Sequence, residues 1–291
     1  MSDAVVDLAP AERSPAPARS IGVTITPRNI RFMNSLPQAA TWLGGDIVGT
    51  ALYNALSLTF PDGERMFMDS VRFYKDRLSG QLLQDANDFI AQEAIHTREH
   101  VALNKIMDGS HYPLDKIRGH IKRDIEIIGR LGPMATLGAT ISLEHFTAML
   151  GDSLLRNPAQ LGGAPEDVRR LWLWHAFEET EHKAVAFDVF EVAAKDMVAW
   201  RRYLVRVRAM AITTVKFIFN ISNYTSQLLA ADGMGRTRAW LKTLWFMFGK
   251  PAFFRKGMKG YWSWYKPGFH PWQHDNRALL ESWRAQLFPA G

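Results

Sequence analysis

Glutamate and histidine stand three residues apart twice in this chain, as Glu93-x-x-His96 and as Glu179-x-x-His182. On an α-helix that spacing puts both side chains on one face, within reach of a single cation. Each pair is preceded by a single glutamate in an apolar setting. Glu64 comes 29 residues before Glu93, and Glu144 comes 35 residues before Glu179. The chain thus runs Glu, Glu-x-x-His, Glu, Glu-x-x-His. Cysteine is absent from the 291 residues, which excludes disulfides, thiolate zinc sites, iron–sulfur clusters and cysteine nucleophiles. A metal here is held by carboxylate and imidazole, a donor set suited to iron, manganese or zinc rather than to Cu(I).

The faces that carry these residues are otherwise apolar. Around Glu93 the helical series is Leu82, Ala86, Phe89, Glu93, His96, His100, Leu103 and Met107. Around Glu179 it is Val168, Trp172, His175, Glu179, His182, Ala186 and Val189. A helix buries such a stripe. An ionised carboxylate inside it must be paired, protonated or metal-bound, because burial alone costs several kcal/mol or more. Four carboxylates would neutralise two divalent cations, and two neutral imidazoles would complete the set. That is the ligand pattern of a ferritin-like di-iron or di-manganese four-helix bundle. The candidate metal and catalytic residues are therefore Glu64, Glu93, His96, Glu144, Glu179 and His182. His100 and His175, one turn from ligands on the same faces, are candidates for further ligands, outer hydrogen-bond partners or proton donors. Glu178 competes with Glu179, being four residues from His182. Glu179 is preferred because its spacing repeats that of Glu93 to His96. The competing reading makes the acids surface residues and the histidines ordinary core residues, with Glu64 a first-turn acid favoured by the helix dipole.

Helical periodicity dominates and two-residue alternation is scarce, so the expected fold class is all-α. Helices are expected at about 38–58, 62–78, 80–108, 115–130, 133–156, 165–195, 198–230 and 235–248, with a last one near 275–287. Asp62 is the expected N-cap of the second. Gly109, Gly132-Pro133, Asn157-Pro158 and Gly162-Gly163-Ala164-Pro165 punctuate the later ones. The 51 residues between Glu93 and Glu144 must join two helical hairpins. Segment 109–132 is the expected crossover, packing through Ile117, Ile121, Ile125 and Ile128. The expectation is a ferritin-like four-helix bundle with a crossover helix and a helical C-terminal extension. Its parts are a disordered Ala-, Pro- and Ser-rich tail (1–25), the bundle (26–197) and the extension (198–291).

Hydrophobic residues at 47% and charged residues at 22% match an ordinary globular chain. The net charge of +6 hides an asymmetry. From Val198 onward there are 15 Lys and Arg against 3 acids, which leaves the rest of the chain at −6. Seven of the ten tryptophans also follow Val198. Such a region suits peripheral contact with an anionic membrane, or simple packing against the bundle with the bases solvated. Nucleic-acid binding ranks last. No secretory pattern opens the chain and no stretch reaches the roughly 18 apolar residues of a membrane span. The expected location is cytoplasmic, with peripheral contact at the inner membrane surface open.

Four stretches resemble a bacterial family labelled predicted metal-dependent hydrolases. They are Phe60-Pro61-Asp62-Gly63-Glu64, Gln92-Glu93-Ala94-Ile95-His96, Leu143-Glu144-His145, and 174–183 from Trp174-His175 to His182-Lys183. The likeness runs from about Ile25 to the segment Tyr265-Lys266-Pro267-Gly268-Phe269-His270-Pro271. The family label implies hydrolysis. The ligand set points elsewhere, since hydrolytic metal pairs usually generate hydroxide between Asp- and His-rich ligands. The carboxylate-rich set looks like the oxygen-activating ferritin superfamily. The expected function is a di-iron carboxylate enzyme that uses O2 to oxidise a small hydrophobic or lipid-like molecule. Hydrolysis is the alternative, and non-catalytic metal binding the second. In the oxygenase reading Glu144 and one further carboxylate would bridge the metals and Glu64 and Glu179 would cap the ends, with the choice of bridging glutamate left open. No Gly-rich dinucleotide fingerprint is present, so electrons would come from a partner protein.

Overall fold

In the computed structural model, which describes residues 23–32, 40–250 and 254–288, the Asp46 side chain accepts hydrogen bonds from the Val48 and Gly49 amides at 3.0 Å. This cap starts α1 (Ile47–Phe73). After a 3₁₀ turn, Gly80 (φ 57°) admits the chain to α2 (Gly80–Asn104), which packs along α1 as a hairpin. Gly109, also at positive φ, ends the following turn. α3 (Leu114–Arg130) then crosses over, burying Leu114, Ile117 and Ile121 against α1 and α4. Pro133 opens α4 (Pro133–Arg156), and α5 (Glu166–His182) returns along it as the second hairpin. α1, α2, α4 and α5 form the frame, with α6 (Val185–Ala193) closing one end against α2 and α4. The described residues are thus an all-α bundle.

Two expected boundaries are corrected. The helices placed at 38–58 and 62–78 are one helix, and Asp62 is an interior residue rather than an N-cap; residues 33–39 lie outside the described residues. Proline normally breaks a helix because the carbonyl four residues back loses its donor. Here that carbonyl, Ser57 O, accepts from Asn104 Nδ2 at 2.9 Å instead. The helix expected at 165–195 is two helices, parted at Lys183-Ala184. The Lys183 ammonium donates to His274 O and Asn276 Oδ1, which ties the turn to the C-terminal segment. Most of the expected N-terminal tail, residues 1–22, lies outside the described residues. Ile25 is buried in the core.

α7 (Ala199–Ala231) packs on α1 and α4, and α8 (Arg236–Leu244) packs on α7. The chain returns through α9 (Met258–Ser263) to α10 (Arg277–Leu287). The tryptophans divide. Trp264 and Trp283 are buried, the latter donating to Leu155 O at 3.0 Å, whereas Trp200, Trp245 and Trp262 are exposed. Among the described residues no helix is long and apolar enough to cross a membrane.

Candidate metal centre

The four frame helices deliver their polar residues to one place. α1 supplies Glu64, α2 supplies Glu93 and His96, α4 supplies Glu144, and α5 supplies His175, Glu179 and His182. None of the seven is more than 3% exposed. Three sets of ligand atoms cluster closely enough to hold a cation: Glu64, His96 and His175; Glu93, His96 and Glu179; and Glu93, Glu144 and His182. Glu64 is mid-helix, so the first-turn dipole explanation of this acid fails.

The distances order the carboxylates. Glu93 Oε1 is 3.2 Å from His182 Nε2 and 3.8 Å from His96 Nδ1. Glu179 Oε1 lies 2.8 Å from His175 Nε2 and 3.6 Å from His96 Nδ1, while its Oε2 lies 3.6 Å from His182 Nε2. Glu64 Oε1 is 3.8 Å from His175, and Glu144 Oε2 is 3.5 Å from His182. Glu93 and Glu179 are therefore central, and Glu64 and Glu144 terminal. Glu179 on α5 lies within 3.6 Å of all three imidazoles, whereas Glu144 approaches His182.

Eight buried atoms of these residues have no hydrogen-bond partner among the described residues. They are Glu64 Oε1, both oxygens of Glu93 and of Glu144, Glu179 Oε2, His96 Nδ1 and His182 Nε2. Buried polar atoms in native proteins are nearly always satisfied. Orphans that converge from four helices fit a shared cation, and four carboxylates match the charge of two divalent ions.

The outer hydrogen bonds aim the imidazoles. His96 Nε2 is 3.1 Å from Glu178 Oε2, and a carboxylate only accepts, so that nitrogen carries the proton and Nδ1 of the neutral ring faces the cluster bare. Gln92 Nε2 donates to Glu181 Oε2 at 2.9 Å and to Thr26 O at 3.2 Å, so Gln92 Oε1 faces His182 Nδ1 at 2.9 Å and accepts its proton. His182 Nε2 then faces the cluster without a hydrogen-bond partner and is bare once the ring is neutral. Arg28 links the two supports, 2.9 Å from both Glu178 and Glu181. Such outer partners fix tautomer and ring orientation at metal sites. Thr97 Oγ1 donates to Glu64 Oε2 at 2.8 Å.

A longer chain aims His175. Asn104 gives its amide hydrogens to Ser57 O, so its oxygen faces Ser57 Oγ and accepts that hydroxyl's proton at 2.7 Å. Ser57 Oγ lies 2.8 Å from His100 Nδ1, and His100 Nε2 lies 2.6 Å from His175 Nδ1. His175 Nε2 faces Glu179 Oε1 at 2.8 Å, within hydrogen-bond reach, and Glu64 Oε1 at 3.8 Å. The structure thus sets His175 with the cluster, His100 behind it as a hydrogen-bond partner, and Glu178 on the outer side of His96.

The charges are strongly coupled. Burial pushes Glu64 up to about 8 and Glu144 to about 7, and holds Glu93 well above the usual carboxylate range. Burial also acts to raise Glu179, but its contacts with His175, His182 and His96 outweigh that and hold it well below. Burial lowers His96 and His182, yet their carboxylate contacts prevail and lift them to about 9 and about 10. Burial, then the neighbouring His96, pushes His175 down to about 4. A narrow apolar cleft of about 40 Å³ between α1, α4 and α5 is lined by Tyr53, Phe60, Leu150, Leu154 and Trp172, and reaches His175 and Glu179. A larger surface groove of about 490 Å³, near Asp62, Arg65 and Lys122, shares no residue with the cluster.

Reading of the residues alone missed Arg28, Ser57, Gln92, Thr97, Asn104 and Glu181. The one signal was the density of acids at Glu178, Glu179 and Glu181, which buried together demand a cation from elsewhere.

Fold and site together define an all-α bundle with a buried carboxylate–histidine centre able to bind metal. The sequence matches the family described as predicted metal-dependent hydrolase over residues 26–275, and the chain belongs to that family. Comparison with curated proteins and with solved structures gives no match.

Proposed function

We propose that this protein is a ferritin-like di-metal enzyme, with iron as the resident metal, that uses O2 to oxidise a small hydrophobic molecule. The observation that carries the reading is the inward set of unpartnered carboxylate oxygens and imidazole nitrogens from Glu64, Glu93, His96, Glu144, Glu179 and His182, with His175 beside them. Glu64, Glu93, His96, Glu144, His175, Glu179 and His182 would hold the ions. Bound iron would supply the redox chemistry. The protein's own residues hold the ligands in one protonation pattern and keep bulk water out. The cleft supports oxidation over hydrolysis: it is apolar, and about 40 Å³ has room for a molecule the size of O2 beside His175 and Glu179. Electrons would come from a separate donor protein.

The family description favours a second reading, metal-dependent hydrolysis. Metal content per chain on freshly purified protein, beside Glu93→Ala and His182→Ala variants, separates the two. About two iron ions, lost in the variants and accompanied by O2 consumption on addition of reductant, are the expected result. Two zinc ions and ester cleavage would transfer the assignment to hydrolysis. No metal after anaerobic Fe(II) loading would end both readings.

A further inference from the structure

α7 is apolar on two sides. Its inner side buries Met210, Ile221, Tyr224 and Leu228 against the bundle. On its outer side Trp200, Leu204, Ile212, Val215 and Phe219 recur at helical spacings and are 38–70% exposed. A helix on the outside of a globular protein ordinarily turns polar residues to water. Large contiguous apolar patches on a surface mark an interaction site. The patch continues onto the neighbouring helix, where Phe219 meets Trp240 at 5.7 Å and Leu241 and Trp245 are each 64% exposed.

The same two helices carry eight Lys and Arg and no Asp or Glu. Arg202 pairs with Glu191, and Lys216 with Asp124. Arg208, Arg236, Arg238 and Lys242 are exposed, and no carboxylate pairs with them among the described residues. The surface therefore presents aliphatic and indole side chains among unpaired cations, on helices that do not span a bilayer.

We propose that the outer face of α7 and α8 seats the protein on an anionic lipid bilayer. Trp200, Leu204, Ile212, Val215, Leu241 and Trp245 enter the boundary between headgroups and acyl chains, and the flanking bases meet lipid phosphates. A second copy of this chain is a poor occupant, because self-pairing would set one basic face on another. Nucleic acid would engage the bases and rings but leave Leu204, Ile212 and Val215 in water. The inference is independent of what the metal centre does.

The test is sedimentation of the full-length, metal-loaded protein with phosphatidylcholine vesicles that contain or lack phosphatidylglycerol, at low salt. The protein should pellet only with the anionic vesicles and be released by salt. At roughly fivefold per basic side chain, R236A/R238A should weaken binding about 25-fold. L241Q/W245S should also weaken it, while helical content and bound metal stay unchanged. Protein that remains in the supernatant with anionic vesicles overturns the proposal. So do variants that bind as the wild type does, or a solution dimer that L241Q/W245S dissociates.

Discussion

Replacing Glu93 by glutamine distinguishes a metal ligand from a structural carboxylate, because the sign of its effect depends on metal. Glu93 is fully buried, neither of its oxygens has a hydrogen-bond partner among the described residues, and it belongs to two of the three candidate groups. Without metal, an unsatisfied buried polar group costs about 1–3 kcal/mol. Glutamine keeps the shape, removes the charge and offers an amide donor to neighbouring carboxylates. Metal-free E93Q should therefore be the more stable protein by about that amount, or roughly 2–6 °C at about 2 °C per kcal/mol for a chain of this size. With metal the order reverses. An ion present at a thousandfold excess over its Kd adds about 4 kcal/mol, and losing Glu93 weakens both positions. The wild type should then rise by roughly 8–16 °C on loading and E93Q by little. Thermal melts in chelator and in anaerobic Fe(II), with metal analysis of the same samples, read the crossing. If E93Q melts on the same side of the wild type in both conditions, the ligand assignment is wrong.

Raising pH from 7 to 8.5 should destabilise the metal-free protein. Glu64 (about 8), His96 (about 9) and His182 (about 10) stay protonated in the fold, while their unfolded counterparts have released protons by pH 7, so their stabilisation is lost as pH climbs. Lys183, lowered to about 7 by burial, opposes this with one proton. The net fall is on the order of 1.4 kcal/mol per pH unit for each proton in excess, measurable by denaturant titration; metal affinity should rise over the same interval, since binding expels these protons. Arg28→Met leaves Glu178 buried without its guanidinium and Glu181 with Arg284 alone. It should cost about 3 kcal/mol in urea unfolding and about 10- to 100-fold in metal affinity by competition with a chelator. At Gly151 an added Cβ would stand 2.8 Å from Ala176 O. Gly151→Ala should therefore spread α4 from α5, cost about 1–3 kcal/mol and weaken metal retention, both measurable on the same melt and chelator assays.

The apolar stripes around Glu93 and Glu179 were legible in the sequence because helical period and burial are tied, and the all-α fold followed from them. The paired Glu-x-x-His spacing singled out residues that the fold brings together. The break at Lys183-Ala184 was not legible: no Gly or Pro marks it, and the stripe continues through Ala186 and Val189. The division of labour among Glu178, Glu179 and Glu181 was not legible either. All three are buried, but only Glu179 points into the cluster, and their counter-charge Arg28 lies 150 residues away from Glu178 in the chain. Spacing along one helix says which side chains share a face; it does not say what another segment lays against that face.

Pro61 lies inside α1, where a break between 58 and 62 was expected, and its effect lies elsewhere. The hydrogen that its nitrogen lacks is replaced at Ser57 O by one from Asn104, and from there a line of hydrogen bonds runs through Ser57 and His100 to His175. The placing of the His175 ring is thereby tied to a covalent bond of the backbone as well as to its own contact with Glu179. A residue with an ordinary amide at position 61 would compete for Ser57 O and loosen the Asn104 amide from which the line starts. Such a chain would retain every candidate ligand and hold one of the imidazoles less firmly in place.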